Sequence, residues 1–178
     1  MKKKTNLSDY DPNFVPSAGG LSFGIAVSDW NQEITHTLLK GCLESLEQHG
    51  AKTADIQVVH VPGSYELPKA ADWLANMEWV DEGNDSVRMV DAVVCLGCVI
   101  TGETRHDEYI NSAVAQGVMQ LNLSYDIPFI FGVLTPSTMQ QALDRAGGKH
   151  GNKGVEAAIT AIKMAHMSNQ FNEDEFES

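Results

Sequence analysis

The chain has 178 residues, 43% of them hydrophobic, a composition typical of one globular domain with a sizeable core. Twelve basic and 24 acidic residues give a formal charge of −12, which argues against nucleic acid as a main partner because phosphate binding needs a basic face. No apolar stretch reaches the roughly 18 residues of a membrane span. Three cysteines, two of them inside one apolar strand, favour reduced thiols and a cytoplasmic location.

Predicted strands and helices alternate along the chain. The strands are the apolar runs 21–27, 56–61, 91–100 and 128–135. The helices cover residues 34–50, 64–79, 104–123, 137–147 and 154–169, and Gly50 is expected to end the first of them. Continuous apolar strands that alternate with helices predict the α/β class. The expected architecture is a three-layer α/β/α sandwich around a four-stranded parallel sheet in flavodoxin-like order.

The remaining segments are polar or glycine-rich. A single domain is expected over residues 1–178, in which residues 1–20 form an N-terminal arm without the apolar core of a signal peptide. Residues 169–178 carry four acidic side chains and no basic one, and are expected to be a solvated, disordered tail. Residues 81–88 are expected to be a polar surface loop, and residues 147–154 a glycine-rich link.

Each predicted strand is followed by a polar cluster. The clusters are "SDWN" (28–31), "PGSYE" (62–66), "TGETRH" (101–106) and "TPST" (135–138). Ligands of such sheets bind beyond the carboxyl ends of the strands, so these clusters predict a binding site at that edge.

The cluster after the third strand suits an anion and a proton transfer. Gly102 is expected to permit a tight turn, and Thr104 to cap the next helix with Asp107 as its capping-box partner. A helix N-terminus of this kind binds anions. His106 would lie beside the anion and could exchange protons near neutral pH. The alternative is a surface histidine in the first turn of a helix.

Two other motifs have a functional and a structural interpretation. Arg145, Lys149 and Lys153 could bind a phosphate, or they could be solvated bases around a glycine-rich loop. Trp30 could stack on a planar ring, or it could close the rim of the core.

The polar residues beside Trp30 are also ambiguous. Asn31 could bind a hydroxyl, but capping of the next helix is the safer interpretation. Glu66, with the backbone of Ser64 and Tyr65, could bind polyol hydroxyls or cap its own helix.

No metal site is predicted. Cys95 and Cys98 are three apart in a strand and should face opposite sides of the sheet, so core packing is the expected role for both. His106, Asp107 and Glu108 are consecutive, whereas a helical metal site needs ligands four residues apart.

Five segments together resemble the lumazine synthase (6,7-dimethyl-8-ribityllumazine synthase) family. They are "GIAVSDWN", "VPGSYELP", "LGCVITGETRHDEYI", "PFIFGVLT" and "QALDRAGGKHGNKGVEAA", in the family's order and spacing over about residues 21–167. The resemblance implies a transferase of riboflavin biosynthesis that condenses 5-amino-6-ribitylaminouracil with 3,4-dihydroxy-2-butanone 4-phosphate. The resemblance implies no cofactor, since such an enzyme acts by positioning its two substrates and transferring protons.

The resemblance also implies residue roles. His106 matches the proton-transfer histidine, and Gly102, Glu103 and Thr104 match the loop that meets the phosphate. Arg145 matches an arginine that binds the phosphate from the neighbouring subunit, with Glu156 at a polar position beside it. The implied substrate-binding residues are Trp30, Asn31, Ser64, Tyr65, Glu66, Cys98, Val99, Ile100, Phe131 and Lys153, of which Phe131 acts across the interface.

Assembly is implied in the same way. The family's pocket lies between adjacent subunits of a pentamer, and some members assemble twelve pentamers into an icosahedral shell. The short 147–154 link resembles that of the shell-forming members. Riboflavin synthase is a candidate partner, whereas nucleic acid and membranes are not expected partners.

Two alternatives belong to other functional classes. A non-catalytic flavin or lumazine carrier could use the same aromatic and ribityl-binding residues, but would not need the phosphate-binding set. A flavodoxin-like electron carrier would share the fold, which does not by itself decide function. Such carriers hold phosphate after the first strand, where this chain has "SDWN".

Overall fold

The structure is a computed structural model that describes residues 6–80 and 87–176. Its strands are β1 (Phe23–Ser28), β2 (Ile56–Val61), β3 (Trp79–Val80), β4 (Val87–Arg88), β5 (Ala92–Cys98), β6 (Phe129–Leu134), β7 (Ala146–Gly148) and β8 (Gly151–Asn152). Its α-helices are α1 (Gln32–Gln48), α2 (Leu67–Ala75), α3 (His106–Ser124), α4 (Met139–Arg145) and α5 (Lys153–Phe176).

Four strands form the central sheet in the order β2-β1-β5-β6. All three pairings are parallel, and Phe23 of β1 lies opposite both Ile56 of β2 and Ala92 of β5. These are the four strands predicted from the sequence, and the fold class and the strand order are confirmed. The parallel arrangement brings the loops that follow β1, β2, β5 and β6 to one edge of the sheet.

Helices cover both faces of this sheet. On one face α1 and α5 pack through side chains such as Leu38 and Ile162, and on the other α2 and α3 pack through Leu74 and Val114. Every residue of β1 and of β5 is buried, which explains why these strands are continuously apolar.

The two cysteines of β5 belong to opposite cores, as the strand period predicts. Cys95 packs in the α2–α3 core, and Cys98 in the α1–α5 core. Their expected role in core packing is therefore confirmed.

Several element boundaries differ from the predicted ones. Helix α1 ends at Gln48, and Gly50 follows with a φ of +103°, as expected of a glycine that stops a helix. The second predicted helix begins as a 3₁₀ turn, Ser64–Glu66, and α2 ends at Ala75, four residues before the predicted end at residue 79. Asn76 is its C-cap, and the side-chain amide of Asn76 donates to Asp72 O.

Two expected loops contain short strands. Residues 87–88 of the predicted 81–88 loop form β4 and pair antiparallel with β3, while residues 81–86 lie outside the described part. The glycine-rich link contains the β7–β8 hairpin, in which Gly147 and Gly151 adopt positive φ. Local pattern could not reveal these strands, because each has only two or three residues.

The described residues near both ends of the chain contact the rest of the domain. The tail expected to be disordered from 169 onward is helical as far as Phe176. Just before this segment, Ser168 Oγ donates to Asp126 O at 2.6 Å, which ties α5 to the domain. In the arm, the Leu7 N–H donates to His150 O at 3.1 Å. No helix in the described residues is long and apolar enough to cross a membrane.

Candidate active site

A cavity of about 130 Å³ lies at the carboxyl edge of the sheet. It collects the residues that follow β1, β2 and β5 with the first turns of α3. Its lining consists of Trp30, Asn31, Ser64, Tyr65, Cys98, Val99, Ile100, His106 and Ile110. Most of the site residues predicted from the sequence therefore meet in one place. Ile110 was not predicted, although its position one helical turn after His106 puts the two on the same face of α3.

Asn31 joins two of the loops around this cavity. It has a left-handed backbone, with a φ of 60°, and its Nδ2 donates to the carbonyl oxygen of Cys98 at 2.9 Å. Asn31 is the N-cap residue of α1, as expected, and its carbonyl oxygen accepts from the Ile34 and Thr35 N–H groups, but its side chain makes no capping bond to the helix. The bond across the sheet uses the side chain instead, and it fixes the end of β1 against the end of β5.

Trp30 offers an exposed aromatic surface at the mouth of the cavity. Its side chain is 68% exposed, and its backbone N–H donates to Pro62 O at 3.0 Å. The indole ring rests against Gly63, where an added Cβ would lie 2.9 Å from the ring carbon Cε3. Glycine at this position therefore lets the indole approach the turn after β2.

The turn after β2 presents one buried and one exposed side chain. Ser64 is 5% exposed, with its Oγ 3.5 Å from Ser28 Oγ, whereas Tyr65 is 59% exposed. The Glu66 carboxylate accepts a hydrogen bond from the Gly63 N–H at 3.0 Å. Glu66 thus has the capping role that was its structural alternative, and it does not line the cavity.

The loop before α3 is open to solvent. Residues 102–104 are exposed, and no atom lies within 4 Å of the position that a Gly102 Cβ would take. The backbone of Gly102 is outside the positive-φ region, so no tight turn requires glycine there. Arg105, rather than Thr104, occupies the N-cap, and the predicted Thr104 cap is wrong. The Arg105 guanidinium instead bonds Glu108 at 2.9 and 2.7 Å.

His106 is the first residue of α3, and its exposed side chain lines the cavity. The first N–H groups of a helix have no acceptor within it, so an anion here would find backbone donors and the positive end of the helix dipole.

The cavity also contains a thiol. Burial raises the pKa of Cys98 to about 11, so this thiol is neutral near pH 7 and is not a nucleophile.

Two predicted residues lie in a different groove. Phe131 and Lys153 line a groove of about 430 Å³ between α3, β6 and α5. Its lining shares no residue with the first cavity.

Arg145 lies at the end of α4 and is half-buried. It forms an ion pair with Glu156, as Lys153 does. Its Nη1 lies 2.7 Å from Glu156 Oε1, its Nη2 donates to Glu156 Oε2 at 3.0 Å, and Nη1 also donates to His150 O at 2.8 Å. Lys149 is more exposed and pairs with Asp144 at 2.9 Å. Arg145 is therefore a fixed group, and the interpretation as a solvated base does not apply to it.

Glu156 organises the cations around it. Burial alone would raise the pKa of this carboxyl, but hydrogen bonds from Arg145 and Ser8 and the charge of Lys153 together hold it below its usual value. Ser8 Oγ donates at 2.9 Å and Lys153 Nζ at 3.2 Å. Arg145, Lys153 and Phe131 thus form a second set of predicted site residues, on α4, α5 and β6, apart from the cavity.

Comparison with known proteins gives one family. The profile of the 6,7-dimethyl-8-ribityllumazine synthase family matches residues 20–169. Proteins of that name from Parabacteroides distasonis and Porphyromonas gingivalis are 52% and 51% identical over 163 and 162 residues. These matches cover 92% and 91% of this chain, and 96% and 94% of the relatives. The chain therefore belongs to the 6,7-dimethyl-8-ribityllumazine synthase family.

Proposed function

We propose that the chain condenses 5-amino-6-ribitylaminouracil with 3,4-dihydroxy-2-butanone 4-phosphate to give 6,7-dimethyl-8-ribityllumazine. The observation that carries this proposal is the single cavity in which an exposed indole, a buried hydroxyl and a histidine at a helix N-terminus meet. The indole of Trp30 stacks on the pyrimidine. Asn31, Ser64 and Tyr65 meet the ribityl chain from the lining of the cavity, and Glu66 does so from the turn beside it.

His106 moves the protons of the reaction. The 5-amino group attacks the C2 ketone and loses water to form an imine. A proton then leaves C3, and phosphate is eliminated from C4. The resulting enol tautomerises, and the second ring closes with loss of another water. Each step needs a proton delivered or removed, and His106, which lines the cavity, is the general acid–base group that does so.

The loop at residues 102–104 binds the phosphate with the start of α3. The open space beside Gly102 supports this role, because a phosphate oxygen can approach the backbone there. Arg145 completes the phosphate site. Its guanidinium carries five N–H donors, and the contacts with Glu156 and His150 use only part of them.

The complete site is shared between two subunits. A cavity of about 130 Å³ is smaller than the roughly 300–1,000 Å³ of ordinary ligand pockets. The missing part of the site is the groove of a neighbouring subunit. This groove contributes Phe131 and Lys153, and the nearby Arg145 contributes its guanidinium. Different surfaces of each subunit then meet head to tail, which generates a closed ring. We propose a pentamer that can assemble further into an icosahedral shell.

The free thiols suggest the cellular location of the protein, and its product suggests a partner. The three cysteines are free and buried, which suits a reducing compartment, and we place the activity in the cytoplasm. Riboflavin synthase, which would take the lumazine as substrate, is the proposed partner.

The direct test is turnover. The protein is incubated with both substrates, and lumazine formation is followed by its absorbance against the uncatalysed reaction. A carrier would bind lumazine without increasing its rate of formation, so a rate equal to that of the uncatalysed reaction would contradict the proposal.

The phosphate assignment has its own test. Arg145→Ala should raise the KM for the phosphorylated ketone far more than the KM for the pyrimidine, since a charged hydrogen bond to phosphate is lost. Lys149→Ala is the matched control, because Lys149 is a nearby base that pairs with Asp144. Equal losses for both substrates would contradict the role of Arg145.

A further inference from the structure

Three potential metal ligands meet on the surface near the carboxyl ends of β1 and β2. Asp29 follows β1, His60 lies in β2, and His36 lies in the second turn of α1. The His60 Nδ1 is 2.8 Å from Asp29 Oδ1, and the His36 Nε2 is 3.4 Å from the same oxygen. The three ligand atoms all lie within 4.8 Å of one another.

Rigid elements hold this cluster. His60 lies opposite Val27 in the parallel register of β1 and β2. The Asp29 N–H donates to Val61 O at 2.8 Å, which fixes the residue after β1 against the end of β2. Sites built on such elements keep their geometry better than sites on loops.

The spacing fits one ion. With metal–ligand bonds of about 2.0–2.1 Å, neighbouring ligand atoms in a tetrahedral site are about 3.3 Å apart. The two distances to Asp29 Oδ1 lie on either side of that value. Small side-chain rotations would therefore let both ring nitrogens and the carboxylate face a common ion. Each side chain is nearly half exposed, which leaves room for water as a further ligand.

From this arrangement we infer that Asp29, His36 and His60 form a binding site for a divalent transition metal such as Zn²⁺, Co²⁺ or Ni²⁺. Two imidazoles and one carboxylate suit these ions, whereas Mg²⁺ prefers oxygen ligands alone. The sequence did not indicate the site, because its ligands come from three elements that only the fold brings together. Metal at this site would join the ends of β1 and β2 to α1, next in the sequence to Trp30, which lines the cavity.

Other side chains compete poorly for the same ion. The buried thiols Cys42 and Cys95 have pKa values raised to about 12 by desolvation, so they stay protonated near neutral pH. Among the described residues, this is the one group of three His, Cys, Asp or Glu side chains with ligand atoms this close together.

The experiment measures Co²⁺ binding to the full-length assembled protein at about pH 7.5, where histidine is mostly neutral. Equilibrium dialysis gives the stoichiometry, and the visible absorption of bound Co²⁺ reports the ligand field. We expect one ion per chain. His36→Gln and His60→Gln should each raise the dissociation constant by about a hundredfold or more, beyond the cost of losing an outer-shell partner.

His166→Gln is the matched control, because His166 is a surface histidine whose ring contacts only the backbone oxygen of Ser17 among the contacts described. It should bind Co²⁺ as the unaltered protein does. Zn²⁺ should also raise the unfolding temperature of the unaltered protein and of His166→Gln, but not that of His60→Gln. Absence of binding, or binding that persists in both cluster variants or is lost in His166→Gln, would overturn the inference.

Discussion

His106 can act as a proton carrier because of where α3 begins. It is the first residue of the helix, it lines the cavity, and it lies next to the exposed 102–104 loop. We expect His106→Ala to slow turnover by about ten- to a thousandfold, the range around that of a positioned acid–base group. Substrate binding should change little. Steady-state kinetics of this variant and of His166→Ala, a histidine remote in the sequence from the site, are the measurement, and unchanged turnover would remove His106 from the mechanism.

Glu156 predicts a pH dependence of stability. Burial opposes its ionisation, but Arg145, Ser8 and Lys153 lower its pKa below the ordinary 4.5. A carboxyl whose pKa is lower in the folded state stabilises the fold above the unfolded pKa, and the contribution disappears as pH falls through the folded value. Glu156→Gln should therefore unfold at a lower temperature than the unaltered protein near neutral pH. The difference should shrink when the measurement is repeated at a pH below 4.5.

A matched control separates this effect from the general loss of one acidic group. Glu44 is 65% exposed and pairs with Lys40 at 3.8 Å, so Glu44→Gln should change the unfolding temperature little at either pH. If Glu156→Gln lowers the unfolding temperature by the same amount at both pH values, the stabilising effect of Glu156 is not ionic.

Helices α1 and α5 approach so closely that only glycine fits at one position. A Cβ at Gly154 would overlap the carbonyl oxygen of Leu38 in α1. Asn152 links the two helices at the same contact. Its Nδ2 donates to Thr37 O in α1 at 2.9 Å, and its Oδ1 accepts from the Gly154 N–H in α5 at 2.8 Å. The first turn of α5 therefore has no space for a larger residue.

We expect Gly154→Ala to reduce the free energy of unfolding by about 1–3 kcal/mol, the usual cost of overpacking, because backbone rather than a side chain must move. Urea denaturation measures the loss. Lys163→Ala removes an exposed side chain from the same helix and should change stability by only about 0.5 kcal/mol or less. Equal stability of Gly154→Ala and the unaltered protein would mean that the two helices can separate without cost.

At the scale of the whole molecule, the division of the site residues predicts complementation. His106 lines the cavity, whereas Arg145 lies with the residues of the second groove. In the proposed ring, one site takes His106 from one subunit and Arg145 from its neighbour. Mixed and exchanged His106→Ala and Arg145→Ala chains should therefore regain activity above the sum of the parents, since about a quarter of the sites recover both groups.

Size measurements accompany that experiment. Light scattering should find pentamers or a much larger particle, and the regained activity should elute with them. An active monomer on a sizing column, or exchanged oligomers without regained activity, would contradict a site shared between subunits.

The sequence by itself determined the fold class, the strand order and most of the cavity lining. Buried parallel strands are continuously apolar, so they are visible as local pattern, and ligand-binding loops follow their carboxyl ends. The sequence also determined the family. Each of the five motifs alone is weak evidence, but all five in the family's order and spacing are specific to it. Even the opposite faces of Cys95 and Cys98 follow from the two-residue period of a strand.

Only the tertiary structure decided which bonds the polar side chains make. Asn31 and Thr104 have the chemistry of helix caps, but Asn31 bonds Cys98 across the sheet and Arg105 takes the N-cap of α3. The last turns of α5 are helical despite their acidic composition, because they continue a helix whose earlier turns pack in the core. The Asp29–His36–His60 cluster depends on the register of β1 and β2 and on the position of α1. Such contacts join residues far apart in the chain, and a local pattern contains no information about which distant groups will meet.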